Sequence, residues 1–407
     1  MQRSKIQSPQ IFCKSEKNEG IHELPDMSTI LHKHIVIVAG EESGDQHAAT
    51  LVKQLTSRDN SIQISGIGGK NMQAAGVNLL FDLAYFGVTG ITEVGKHIYI
   101  IYKAFKLIKK HLQTVNPDLL ILVDYPGFNL RLAKFAKQKL GIRILYYISP
   151  QIWAWKAKRI KLIRNNIDNM AVILPFEKEI YQQNAVPVSF VGHPLINKIA
   201  LPKANSQLRT EFELPLNKRI VAMLPGSRNN EIAHHLPVLV ATAIKLHAQL
   251  SDLHFVIPIA GNLNAAKVQA YFNNVDIPIT FINGHALEIM SCSDCVVVAS
   301  GTATLECALL AKPMCIIYKS SLLTFIAAAK LIKIKYLGLC NLLFDKMIVP
   351  ELLQYDCNAT ELTKTLILLL TATPVKEQMT KALHQLRHKL SNIEADCLLP
   401  ELVKKLL

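Results

Sequence analysis

From residue 34 onward the chain alternates short, almost purely apolar runs with longer stretches whose apolar residues recur at helical spacing. HIVIVAG (34–40) is the first such run, and DQHAATLVKQLTS (45–57), with a helical stripe, follows it. IQISGIGG (62–69), DLLILVD (118–124) and RILYYIS (143–149) repeat the theme, the last two on either side of a helical pattern from Asn129 to Leu140. A strand apolar throughout that leads into a helix belongs in a parallel sheet covered on both faces. The pattern restarts at RIVAMLPGS (219–227) and continues through HFVIPIAG (254–261), PITFING (278–284), CVVVASG (295–301) and KPMCIIY (312–318). These elements predict an α/β fold: two Rossmann-like doubly wound domains facing a cleft, with C-terminal helices. Residues 1–33 read as a flexible N-terminal extension and 34–191 as the first domain. Residues 192–208, rich in Pro, Asn and turn formers, read as a hinge. The second domain takes 209–350 and a helical tail 351–407.

A length of 407 residues agrees with two domains of ordinary size, and an apolar half with only 19% charged residues can bury two cores. Charge narrows the partners. Lys and Arg number 45 against 31 acids, a net of +14, which favours an anionic partner: nucleic acid, acidic membrane or phosphorylated substrate. The eight cysteines are scattered through apolar runs, which points to a reducing cytosol rather than a disulfide scaffold. Cys292 and Cys295 form a CxxC with no second pair and read as core or surface thiols rather than a metal or redox site. No run approaches the roughly 18 apolar residues that a membrane span needs.

In open α/β sheets ligands sit beyond the carboxyl ends of the strands, and the unusual residues stand there. In AGEESGD (39–45), Gly40 and Gly44 permit close backbone approach and Ser43 can cap the helix, while Glu41, Glu42 and Asp45 suit sugar hydroxyls better than phosphate. LPGSR (224–228) offers Gly226, Ser227 and the fixed cation Arg228 for a phosphate. In ASGTATLECALLAKP (299–313), Ser300, Gly301 and Thr302 open a helix directly off a strand, a pyrophosphate cradle with Glu306 within reach of a ribose. Neither G-x-G-x-x-G nor G-x-x-x-x-G-K-[ST] occurs, so hydride and ATP chemistry are set aside. LVDYPGFNLRLAK (122–134) places Asp124 at the lip of a buried strand, five residues before Asn129. Trp153 and Trp155, followed by Lys156, Lys158 and Arg159, could stack on single-stranded nucleic acid or line the cleft; no nucleic-acid fold accompanies them. HIYIIYKAFKLIKKHL (97–112) sets Ile98, Ile101, Tyr102, Phe105, Ile108 and Leu112 on one helical face, and LLTFIAAAKLIKIKYLG (322–338) joins an apolar run to Lys330, Lys333 and Lys335. Both suit an anionic membrane surface, or simply a core.

In their order, VAGEESGD, GIGG, DYPGFNLRLAK, YYISPQIWAWKAKR, LPFEKEIY, FVGHP, LPGSR, ASGTATLECALLAKP and NLL resemble the lipid-A-disaccharide synthase family, from about Ile35 onward. The resemblance implies a GT-B glycosyltransferase that joins UDP-2,3-diacylglucosamine to 2,3-diacylglucosamine 1-phosphate, releasing UDP, inverting the anomeric centre and forming a β(1→6) link. It implies no metal or other cofactor and no nucleic acid. The place of action would be the cytoplasm, peripherally attached to the inner membrane; a homodimer is left open. By resemblance Asp124 is the essential acid and general base. Gly226, Ser227, Arg228, Ser300, Gly301, Thr302, Glu306 and Asn341 surround the nucleotide. Gly40, Glu41, Ser43, Gly44 and Asp45 border a sugar, and Asn129 orients Asp124 or holds the acceptor. Gly127 stands where the family often has a second acid, and Cys340 where it often has proline. Rival readings are a UDP-sugar 2-epimerase on the same plan and a non-catalytic RNA- or membrane-binding protein.

Overall fold

The computed structural model describes residues 33–84, 94–150, 159–199, 204–321, 335–391, 395 and 397–407. The expected extension up to residue 32, Trp153, Trp155, Lys156, Lys158, Lys330 and Lys333 lie outside the described residues. The first sheet has seven strands: β1 (His34–Ala39), β2 (Gln63–Gly68), β3 (Asn78–Asp82), β4 (Leu119–Val123), β5 (Ile144–Tyr147), β6 (Asn169–Val172) and β7 (Val188–Phe190). Their order is β3-β2-β1-β4-β5-β6-β7, all parallel. The second has six: β8 (Arg219–Leu224), β9 (Leu253–Ile259), β10 (Ile279–Asn283), β11 (Cys295–Ala299), β12 (Met314–Tyr318) and β13 (Glu351–Leu353). It repeats the plan as β10-β9-β8-β11-β12-β13, again all parallel.

The wholly apolar strands are buried on both faces, as parallel sheets require: Ile35 to Ala39 and Leu119 to Val123 have no exposed surface. The strand order reverses direction between β1 and β4, and again between β8 and β11, so each sheet has one switch point where neighbouring loops part and leave a crevice. Register decides what faces that crevice. Ala39 pairs with Val123 and Val298 with Leu224, so Gly40 emerges beside Asp124 and Pro225 beside Ala299.

The C-terminal stretch departs from a simple tail. β13 completes the second sheet just past the expected boundary at 350, because Glu351 to Leu353 pair with Ile316 to Tyr318. The helices Ala359–Thr371 and Thr373–Leu390 also belong to the second core, through Leu362, Leu366, Met379, Leu383 and Leu386. Leu399–Leu406 crosses back to the first sheet, where Leu399, Leu402 and Val403 bury against Ala48, Leu51, Val52 and Leu55 of the helix Glu42–Thr56. Lys33 and Arg143 donate to the carbonyls of Leu407 and Leu406 and fix it there. The hinge region is tied as well: Arg387 donates to the carbonyls of Ile199 and Leu309 at 3.1 and 3.0 Å.

The stripe expected over residues 97–112 divides along the helix Val94–Val115. Ile108 and Leu112 are core, whereas Ile98 and Tyr102, with Tyr99, are exposed. No helix among the described residues is long and apolar enough to cross a membrane. Cys292 and Cys295 are buried free thiols, and burial pushes the Cys295 thiol up to about 12.

Candidate active site

At the first switch point β4 ends with Asp124 and Tyr125 both in the left-handed region, at φ 46° and 48°. Side chains rarely accept that conformation, and two in succession need outside support. The Asp124 carbonyl accepts hydrogen bonds from Asn129 Nδ2 at 2.8 Å and from the Tyr146 hydroxyl at 2.5 Å. The Asp124 N–H donates to Tyr147 at 3.0 Å. Gly40 is required beside them, since a Cβ there would lie 2.1 Å from the Tyr125 ring. The Asp124 carboxyl is thereby held at the strand end, half-buried. Burial, with a lesser push from the Glu41 carboxylate, raises its pKa to about 6.

Other residues expected at this sugar side are placed differently. Asn129 is fully buried and donates to the Val123 and Asp124 carbonyls, so its amide nitrogen supports the backbone that carries the acid. Asp45 is also fully buried. Its carboxylate accepts the N–H groups of Gly69, Asn71 and Met72 at 2.7, 2.9 and 3.1 Å, because Gly69 brings no side chain to cap the helix Lys70–Ala74. Asp45 is thus a structural anchor. Ser43 caps nothing: Glu41 is the extended N-cap residue, and Ser43 sits exposed in the first turn. A Cβ at Gly44 would meet Ala39 and Val123 only at ordinary contact distance, so the close approach does not require glycine there.

At the second switch point Gly226 has φ 113°, and a Cβ there would meet Glu231 at 2.4 Å. Glu231 holds the loop in shape by accepting the N–H groups of Ser227 and Arg228 at 2.9 and 3.2 Å, and it pairs with the Arg228 guanidinium at 2.7 Å. The N-terminus of the helix Asn229–Gln249 is therefore already occupied by the chain's own carboxylate. Across from it the helix Thr302–Leu309 starts at Gly301 with no side-chain cap; Thr304 N–H donates to the Gly301 carbonyl, and the N–H groups of Thr302 and Ala303 face an anion's place. A cleft of about 410 Å³ lies between these loops, lined by Gly226, Ser227, Arg228, Ser300, Gly301 and Thr302. Gly284, His285 and Ala286 from the end of β10 join the lining. His285 is left-handed at φ 53° and packs on Phe212 with ring centres 5.2 Å apart.

Two expected nucleotide residues lie off this cleft. Glu306 sits half-buried one turn further on; burial raises its pKa and the ammonium of Lys198, from the hinge, opposes that rise. Asn341 has no exposed surface. Its side chain donates to Val349 O and Glu351 Oε1, both at 2.7 Å, and accepts from the N–H groups of Ile348 and Val349, so it shapes the turn before β13.

The two switch points meet electrostatically. The Arg228 pKa is raised first by Glu231, and Glu41 from the opposite sheet adds to the rise. Glu41 thus bears on both the Asp124 carboxyl and the Arg228 guanidinium. Sequence reasoning missed Tyr146, Glu231 and His285. For Glu231 a signal existed, an acid three residues after Arg228 at a helix start; a tyrosine inside an apolar strand carries none.

Fold and site together define the class: a two-domain α/β protein of GT-B architecture, with a half-buried acid at the end of one sheet and a cleft carrying Arg228 at the end of the other. A model described as lipid-A-disaccharide synthetase matches residues 35–404. The chain belongs to that family, and it is a glycosyltransferase of lipid A biosynthesis. Lipid-A-disaccharide synthase 1 from Legionella pneumophila (strain Lens) is 59% identical over 369 residues, 91% of this chain and 96% of that protein. Among solved structures, the calicheamicin glycosyltransferase CalG4 matches with TM-score 0.59 and 12% identity, over 93% of this chain and 99% of that one. The UDP-GlcNAc 2-epimerase from Neisseria meningitidis, bound to UDP-GlcNAc, matches with TM-score 0.57 and 14% identity, over 88% and 99%. A transferase and an epimerase thus share the fold, and it is the family match that separates those two readings.

Proposed function

We propose that this chain joins UDP-2,3-diacylglucosamine to 2,3-diacylglucosamine 1-phosphate, with Asp124 as general base. The carboxylate takes the proton of the acceptor's 6-hydroxyl as that oxygen bonds to the anomeric carbon from the face opposite UDP. The carbon–oxygen bond to UDP breaks, its electron pair leaves on the phosphate oxygen, and the centre inverts. Arg228 and the open N–H groups after Gly301 meet the charge that develops on the pyrophosphate, which is how the reaction proceeds without a metal. The observation that carries this reading is a half-buried acid at the first switch point, its pKa raised to about 6, beside a Glu41 carboxylate that also bears on the Arg228 guanidinium of the second. Incubation with the two lipid substrates and detection of disaccharide 1-phosphate tests it. Hydrolysis or epimerisation of the UDP-sugar without disaccharide would overturn it.

The acyl chains of such substrates lie in a bilayer, so the reading includes peripheral attachment to the cytoplasmic face of the inner membrane. Ile98, Tyr99 and Tyr102, about two-thirds exposed beside the exposed Lys103 and Lys106, support that attachment. Each lysine near an anionic surface adds about 1 kcal/mol.

A further inference from the structure

His235, on the second turn of the helix Asn229–Gln249, has no exposed surface, and both of its ring nitrogens are committed. The backbone N–H of Lys319 donates to Nε2 at 2.9 Å, and a backbone amide can only donate. The proton therefore sits on Nδ1, which donates to the Pro225 carbonyl at 2.7 Å. The ring is neutral and its tautomer is set by its neighbours. Pro225 is the residue before Gly226, and Lys319 is the residue after β12. Tyr318, the last residue of β12, packs edge-on against the imidazole with ring centres 5.8 Å apart, and its phenol acts on the charge of Arg228. One buried ring thus ties the loop that carries Arg228 to the strand end beside it. An apolar side chain of similar volume would leave a buried N–H and a buried carbonyl unpaired.

We propose that His235 is a positioning residue for the nucleoside diphosphate: it clamps residues 225–228 to the end of β12, so that Arg228 enters the cleft already oriented. This rests on reading the cleft as the UDP seat. Two substitutions divide its two bonds. His235→Asn keeps an amide N–H near the place of Nδ1 and loses the acceptor for Lys319. His235→Gln carries its amide to the place of Nε2 and loses the donor to Pro225. Each deletes one buried hydrogen bond, so melting temperature reads the structural loss they share, and titration with UDP below both melting points reads positioning.

His235→Asn is expected to bind UDP within about threefold of the unsubstituted protein, and His235→Gln about tenfold more weakly. In turnover, His235→Gln raises KM for the UDP-sugar more than it lowers kcat. The proposal is overturned if His235→Gln binds UDP as the unsubstituted protein does, or if both variants lose affinity equally in step with their melting temperatures. Failure of the unsubstituted protein to bind UDP would remove the cleft assignment itself, a result distinct from either of those.

Discussion

Asp124 carries two costs at one position, a left-handed backbone and a half-buried charge. Such a conformation costs on the order of 1–3 kcal/mol and persists only where surroundings enforce it, here Asn129 and Tyr146 on the carbonyl. The charge cost has a pH signature. With a native pKa of about 6 above an ordinary carboxyl value, the folded protein binds more protons than the unfolded chain between roughly pH 4 and 6. Stability falls as pH rises through that window, by on the order of 3 kcal/mol if Asp124 acts alone. Asp124→Asn should therefore melt higher than the unsubstituted protein at pH 7 and equally at pH 4; a lower melting point at pH 7 contradicts the assignment. The same substitution should cut turnover about 10²–10⁴-fold while UDP titration is unchanged. In the unsubstituted enzyme kcat/KM should rise with pH to a plateau above about 6, and a flat profile through that range would leave Asp124 without the role of base.

Among elements, those that announce themselves by period were legible in the sequence, and those defined by a partner were not. Four apolar runs in the first half and five in the second gave the parallel sheets and the strand-end position of the site, because a strand buried on both faces has little freedom of composition. β13 escaped notice, since three half-buried residues at a sheet edge need only one neighbour. Asp45 reads as a sugar contact, while resemblance sets Asn341 at the nucleotide and leaves Asn129 between orienting Asp124 and holding the acceptor, because a polar residue looks the same in sequence whether it faces a cleft or a backbone group. In the fold, backbone N–H groups occupy Asp45 and backbone carbonyls occupy Asn129 and Asn341. The helix Val94–Val115 makes the same point in reverse: one apolar stripe is core at Ile108 and Leu112 and surface at Ile98 and Tyr102. Replacing Ile98, Tyr99 and Tyr102 together by serine should abolish flotation with anionic vesicles and leave the melting temperature within a few degrees. Undiminished flotation would place the membrane contact elsewhere.

For the whole molecule, the crossing of Leu399–Leu406 onto the first sheet joins the two halves through a buried apolar contact. Leu402 is nearly buried there, and Leu402→Ala should cost about 2–4 kcal/mol. Hydrogen exchange should show the loss in the helix Glu42–Thr56 and leave β8 and β11 protected; loss confined to the second sheet would mean that the crossing does not support the first. This long-range contact was unreadable from periodicity, because an amphipathic helix does not state which face it covers. Vectorial synthesis gives the crossing a further consequence. All seven strands of the first sheet precede residue 191, yet the helix that packs on its helix Glu42–Thr56 begins at Leu399. At about 5–20 residues per second, a ribosome needs roughly 10–40 s to travel between them. Throughout that interval the side of the helix Glu42–Thr56 that Leu399, Leu402 and Val403 later bury lacks that cover, which leaves an apolar strip of the nascent first half open to water.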